Sequence, residues 1–146
     1  MVDGKHCLFV DTSGWIEVFK KHKLPRTHNK AREMWNRVLV EACPIITTNY
    51  VITEFIGRGG KACNLNREEL LNAVDKILKF PTIEVVHIGE YNHAAAITFL
   101  RGYLDKEWSL VDATSFNVMR QRGIVEAFAT DYDFVQAGFK KLLDPD

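Results

Sequence analysis

Four acidic residues, Asp11, Glu54, Asp112 and Asp131, occupy positions from which carboxylates could meet around a cation. Asp11 follows the apolar run Cys7-Leu8-Phe9-Val10, and Asp131 follows Ala127-Phe128-Ala129-Thr130. Each run reads as a short strand, the first buried on both faces, that ends on an acid. Asp112 falls in the first turn of a helix, and Glu54 lies inside the helix that follows a second strand. Ligands of an open parallel sheet bind beyond the carboxyl ends of its strands, and helices that follow strands begin at the same edge. The four acids can therefore converge on one rim. Clustered carboxylates repel one another until a cation relieves them. All-oxygen ligation without His or Cys selects a hard dication, magnesium or manganese. Such an ion polarises a phosphoryl oxygen, activates water and stabilises a leaving oxygen, so the chemistry implied is phosphodiester hydrolysis.

Each acid also has an ordinary reading. Asp11 fits a helix cap equally well. Ser109-Leu110-Val111-Asp112 matches the capping-box pattern, which explains Asp112 as well as catalysis does. Glu54 alone reads as a solvated helical residue, and Asp131 with Asp133 as a turn. The joint pattern carries the expectation.

The elements that must position these acids follow from local periodicity. The chain has 146 residues, the size of one compact domain, taken as residues 1–146. A strand over His6 to Val10 leads into a helix with Trp15, Ile16 and Phe19, for which Thr12 and Ser13 are candidate caps, and Pro25 closes that region. Ala31, Met34, Trp35, Val38 and Leu39 mark a second helix at the 3.6-residue period. Pro44 to Thr48 is the second strand, with Asn49 as a candidate cap for a helix through Ile56 that Gly57 and Gly59-Gly60 break. A helix over Glu68 to Phe80, a strand over Ile83 to Ile88, and helices over Tyr91 to Leu104 and Leu110 to Arg120 come next, the last ended by Gly123. A strand over Ala127 to Thr130, a helical turn at Phe134 to Gln136 and an edge strand at Lys140 to Leu143 complete the chain. Strands alternating with helices give an α/β fold with a parallel sheet covered on both sides.

Hydrophobic residues make up 47% of the chain and charged residues 26%, which excludes general disorder. Net charge is zero, but residues 1–73 carry 11 Lys+Arg against 8 Asp+Glu, and residues 74–146 carry 8 against 11. A basic front and an acidic rear suit a protein that binds a polyanion and a cation together. Cys7, Cys43 and Cys63 have no paired spacing and suit a reducing compartment. With neither a secretory signal pattern nor an apolar run of about 20 residues, the expectation is a cytoplasmic protein off the membrane.

Together, Val10-Asp11-Thr12-Ser13-Gly14-Trp15-Ile16, Thr53-Glu54, Ser109-Leu110-Val111-Asp112-Ala113-Thr114-Ser115-Phe116 and Ala129-Thr130-Asp131-Tyr132-Asp133-Phe134 resemble the PIN-domain family, and most closely its VapC-type toxins. The resemblance covers nearly the whole chain. It implies a PIN-like three-layer sandwich, a mostly parallel sheet of about five strands with helices on both faces. It also implies a Mg2+-dependent (or Mn2+-dependent) endoribonuclease whose catalytic metal ligands are Asp11, Glu54, Asp112 and Asp131. Thr12, Ser13 and Thr130 match hydroxyl positions that orient carboxylates or water. Asp133 stands where many relatives have His, and reads either as an auxiliary carboxylate of the metal shell or as a surface residue, the latter slightly favoured. Partners implied are an RNA substrate, an antitoxin protein and a second copy of the chain in a homodimer. The alternatives are a standalone nuclease of RNA processing or decay, and a silent RNA-binding or assembly module. Four retained, mutually repelling acids argue against the silent module.

Several cations are candidates for phosphate contact. Lys20, Lys21 and Lys23 lie in a basic stretch without an acid, whose plainer reading is a solvated loop. Arg58 and Lys61 flank Gly59-Gly60, but Gly57 to Lys61 lacks the spacing of a phosphate-binding loop and follows a helix rather than a strand. Trp15 and Phe19, one helical turn apart, are read as core by default, while the resemblance implies a groove for an antitoxin peptide in this region. His87 and His93 are read as structural.

Overall fold

A computed structural model of the chain describes residues 7–21 and 26–144, and the side chains of all of these except 26–29. His6, Lys23 and Pro25 lie outside the described residues. The elements run β1 (Leu8–Val10), α1 (Thr12–Phe19), α2 (Arg26–Val40), β2 (Ile45–Thr48), α3 (Asn49–Cys63), α4 (Arg67–Lys79), β3 (Ile83–Val86), α5 (Glu90–Arg101), α6 (Leu110–Arg122), β4 (Glu126–Phe128), α7 (Asp133–Gln136) and β5 (Lys140–Lys141). The strands form one sheet in the order β3-β2-β1-β4-β5, every pair parallel. Helices cover both faces, as the alternation of elements predicts.

Chain order reverses direction at the β1/β4 pair, where Phe9 stands beside Ala127 and Val10 beside Phe128. A crevice opens at such a switch point, beyond the carboxyl ends of the two strands. Asp11 and Asp131 leave the sheet there. The strands beneath are dry: Phe9, Val10, Ala127 and Phe128 are fully buried. Three-residue strands suffice because their apolar side chains pack on both faces of a covered sheet.

The expected α3 is too short. It runs through all three glycines to Cys63 and stops at Asn64, whose left-handed φ of 60° closes the helix. A Cβ at position 59 would lie 2.7 Å from the Phe55 ring and 3.0 Å from Leu70 of α4, so glycine permits the close α3–α4 contact. Burial of Phe55 and Leu70 outweighs the roughly 1 kcal/mol that a helical glycine costs.

Of the three cap candidates offered for α1, Asp11 rather than Thr12 or Ser13 is the cap. The expected cap of α3 shifts by one residue: Thr48, not Asn49, caps it by accepting from the Val51 N–H at 3.0 Å. The Asn49 side chain instead accepts from the Ile88 N–H at 2.6 Å, which draws that backbone off the sheet and ends β3 at Val86 rather than Ile88. Gly123 ends α6 as expected, at Arg122. His93 bonds the Tyr50 hydroxyl at 2.5 Å, a structural role.

Candidate active site

Close packing at Gly14 sets the geometry. A Cβ there would fall 2.0 Å from the Phe128 carbonyl oxygen, so only glycine lets the first turn of α1 lie against the end of β4. That approach places Ser13 between two strand ends. Its hydroxyl donates to Asp11 Oδ1 at 2.7 Å and accepts from the Thr130 N–H at 3.0 Å. Ser13 thus joins the acid after β1 to the segment that carries Asp131. Thr130 contributes its backbone N–H to this link, not the hydroxyl the sequence suggested. The Val10 carbonyl accepts from Thr47 Oγ1 at 2.8 Å, and Thr47 in turn accepts from the Trp15 indole at 3.2 Å, which fixes the end of β1 from the other side.

Each aspartate uses one oxygen for anchorage. Asp11 Oδ1 accepts from Ser13 and from the Gly14 N–H at 3.0 Å. Asp112 Oδ2 accepts from the Ser109 N–H at 3.0 Å, while Ser109 Oγ accepts from the Asp112 N–H at 3.0 Å, a complete capping box. Asp131 Oδ1 accepts from the Asp133 N–H at 2.9 Å. The cap reading and the site reading are therefore compatible, because each of these backbone and hydroxyl bonds engages only one oxygen of its carboxylate.

Asp112, Asp131 and Asp133 offer oxygens that all lie within 4.8 Å of one another. Asp133 thus stands in the cluster, with its side chain partly exposed. Asp11 stands beside them. Burial, with the charges of Asp131 and Asp112 adding to it, pushes its carboxyl up to about 7 against the Ser13 and Gly14 hydrogen bonds. Burial likewise pushes Asp112 up to about 6, with Asp131 and Asp133 adding repulsion. Asp133 is raised by burial and by Asp131, while the nearby Lys106 ammonium opposes the shift. Several carboxylates in one partly buried cluster are poorly compensated by the protein alone, the condition that a hard dication relieves. The donor set, all carboxylate oxygens, fits Mg2+ or Mn2+.

Glu54 joins the site differently. Thr12 Oγ1 donates to Glu54 Oε1, and Arg58 lies 3.8 Å from Oε2, so Glu54 is linked to Asp11 through the adjacent Thr12 and is not part of the three-acid group. Arg58 and Lys61 lie on continuous helix rather than in a loop, Arg58 one turn beyond Glu54. Lys20 and Lys21 face acids of the fold, Glu17 at 3.3 Å and Glu69 at 2.7 Å. Lys106, in the segment joining α5 to α6, did not stand out from sequence, since an isolated Lys in a polar loop carries no periodic or spacing signal; only the fold brings it to Asp133.

A family model described as PIN domain matches residues 8–140. The chain is 32% identical over 133 residues to the 23S rRNA-specific endonuclease VapC20 of Mycobacterium tuberculosis, covering 90% of this chain and 95% of that protein. The crystal structure of VapC20, described as a Sarcin-Ricin loop cleaving toxin, superposes with a TM-score of 0.76 at 30% identity, over 93% of this chain and 98% of the other. FitAcB from Neisseria gonorrhoeae matches with a TM-score of 0.63 at 16% identity over 92% and 96% of the two chains, a likeness of fold. With the switch-point acids, the parallel five-stranded sheet and a match spanning nearly its full length, the chain belongs to the PIN-domain family.

Proposed function

We propose that this chain is a divalent-metal-dependent endoribonuclease, the toxin of a toxin–antitoxin pair, with residues 1–146 forming one nuclease domain. The observation that carries the reading is the group formed by Asp112, Asp131 and Asp133 with buried Asp11 beside it at the switch point of the sheet. Asp11, Asp112 and Asp131 would hold Mg2+ or Mn2+ through the oxygens their anchoring bonds leave free, with Asp133 as an additional ligand. Glu54, oriented by Thr12, is assigned to the flank of the same site. The bound ion supplies Lewis-acid polarisation of the phosphoryl oxygen and lowers the pKa of a water. The chain's own part is to hold these oxygens in place: Ser13 and the Gly14 N–H lock Asp11, Ser109 locks Asp112, and the Asp133 N–H locks Asp131.

RNA is assigned as substrate because the likeness to VapC20 extends over nearly both chains, and a ribosomal stem-loop is the first substrate to test. An antitoxin partner, a homodimer and a cytoplasmic location are part of the same proposal and follow from the toxin reading. No helix among the described residues is long and apolar enough to cross a membrane. Incubation of the protein with a 23S rRNA fragment in magnesium tests the reading. Cleavage that stops in EDTA and falls by several orders of magnitude in Asp11→Ala is expected. Equal cleavage by both proteins would rule out the site. A short neighbouring reading frame encoding a DNA-binding antitoxin would separate a toxin from a standalone nuclease.

A further inference from the structure

Trp108, Phe116 and Phe134 form one continuous aromatic contact. The Phe116 ring, fully buried in α6 one helical turn after Asp112, meets Trp108 at 5.1 Å between ring centroids and 77°, and Phe134 at 5.1 Å and 90°. Both are edge-to-face pairs, an arrangement that ring quadrupoles favour. Each partner adjoins the anchor of an acid. Trp108 precedes Ser109, whose N–H and hydroxyl hold Asp112 in its capping box. Phe134 follows Asp133, and its own N–H donates to the Asp131 carbonyl at 3.2 Å, beside the bond from the Asp133 N–H to Asp131 Oδ1 at 2.9 Å. Phe134 also packs at 6.3 Å on Phe9, the second residue before Asp11. These anchoring bonds act within a segment, whereas the Phe116 ring spans two: the start of α6 and the turn that carries Asp131 and Asp133. It is from these two segments that the oxygens clustered within 4.8 Å are drawn.

We infer that Phe116 sets the spacing between the carboxylates of these two segments and thereby makes the site discriminate magnesium from calcium. The inference rests on the metal-dependent reading above and adds what chooses the ion. Magnesium demands near-ideal octahedral geometry at about 2.0–2.1 Å, whereas calcium accepts irregular oxygen cages at about 2.3–2.6 Å, so rigid ligand spacing separates the two. Close-packed interiors transmit small displacements rather than absorb them. Leucine at position 116 stays apolar but is too short to meet both Trp108 and Phe134 as the ring does. It leaves each segment its own hydrogen bonds and releases the distance between the segments. The loosened cage keeps all its carboxylates and loses its fixed spacing, a change that costs the smaller, stricter ion more.

Calorimetric titration of the metal-free protein with magnesium and, separately, with calcium tests this without any turnover. The proteins compared are wild type, Phe116→Leu, Phe134→Leu and Ile77→Ala, the last a buried residue of α4, a helix that carries none of the site's acids. Phe116→Leu lowers magnesium affinity about 10- to 100-fold, the usual effect of losing support behind a metal ligand, and calcium affinity much less. The magnesium-to-calcium affinity ratio therefore falls about tenfold or more. Phe134→Leu, which opens the other side of the same contact, lowers the ratio too, and the double variant lowers it less than the two single losses multiplied. Ile77→Ala melts at a lower temperature but keeps the wild-type ratio. Equal weakening of both ions in Phe116→Leu, or no weakening, reduces the ring to core filling and overturns the inference. So does a ratio that falls as far in Ile77→Ala, which traces the effect to general loosening. If Phe116→Leu does not fold, Phe134→Leu decides by the same criteria. A wild type that binds neither ion defeats the metal reading and this inference with it; a wild type that binds them, with variants that match its ratio, defeats only this inference.

Discussion

The Thr12 hydroxyl donates to a carboxylate oxygen of Glu54, joining the first residue of α1 to the middle of α3 across 42 positions of sequence. This bond links Glu54, which like Asp11 is not among the three clustered acids, to the segment that carries Asp11, since Thr12 directly follows Asp11. Without it, Glu54 is free to turn toward Arg58, already 3.8 Å away. Thr12→Val should lower metal affinity or turnover about 10- to 100-fold, the usual effect of losing a group that orients a ligand. Thr12→Ser should restore most of it. Calorimetry and turnover on the pair check this; a Thr12→Val indistinguishable from wild type would detach Glu54 from the site.

Proton binding at Asp11 and Asp112 gives a pH signature. Both are raised from an ordinary value of 3.8, Asp11 to about 7 and Asp112 to about 6, mainly by burial. The folded state therefore holds protons that the unfolded chain has already released. Their stabilising contribution is complete below about pH 4 and is lost as pH rises to about 7. Metal-free protein should melt at a lower temperature at pH 8 than at pH 5, and Asp11→Asn should reduce the difference. Magnesium should raise the melting temperature more at pH 8, where the ligands are ionised. A metal effect larger at pH 5 would contradict this.

Asp112 both caps α6 and faces the cluster, and two substitutions separate these roles. Asp112→Asn keeps an oxygen for the Ser109 N–H and removes one repelling charge. It should abolish activity while metal-free protein stays as stable as wild type or gains slightly. Ser109→Ala should cost about 1 kcal/mol of stability and much less activity. Thermal melting and turnover on both variants check the split, and a large stability loss in Asp112→Asn would mean the cap is its main work.

The cations divide by surroundings. Lys21 pairs with Glu69 at 2.7 Å, tying the end of α1 to the start of α4, whereas Arg58 and Lys106 stand near acids of the site. Neutralising Arg58 and Lys106 should flatten the salt dependence of RNA binding by about 0.7 for each phosphate no longer neutralised. Lys21→Gln should leave that slope unchanged and alter stability by no more than about 1 kcal/mol. The reverse pattern would return phosphate binding to the basic stretch around Lys20 and Lys21.

Sequence made the sheet and the acids legible because both follow local rules. Apolar runs that end on Asp11 and lead to Asp131 identify strands and the rim, and Ser109 with Asp112 identifies a helix start. Contacts at long range were hidden. That α3 continues through Gly57, Gly59 and Gly60 depends on Leu70 packing from another helix, which no local propensity reports. Sequence left Asp133 open between a turn or surface residue and an auxiliary carboxylate, and only the turn closed on Asp131 brings it into the cluster. Ser13 was placed near Asp11 from sequence, but its bond to Thr130 exists only because β4 lies next to β1 in the sheet.

The chemical ends of the RNA fragments decide whether water activated at the carboxylate cluster is the nucleophile. The clustered groups are carboxylates, and His93 is bonded to Tyr50 and is not among them. With only carboxylates in the cluster among the described residues, and no His there to activate the RNA's own 2′-hydroxyl, the nucleophile should be water. Cleavage in magnesium should then leave a 5′-phosphate and a 3′-hydroxyl, so that fragments ligate without prior phosphatase or kinase treatment. Fragments ending in a 2′,3′-cyclic phosphate, or fragments that form equally well in EDTA, would contradict a carboxylate-held metal as the source of the nucleophile.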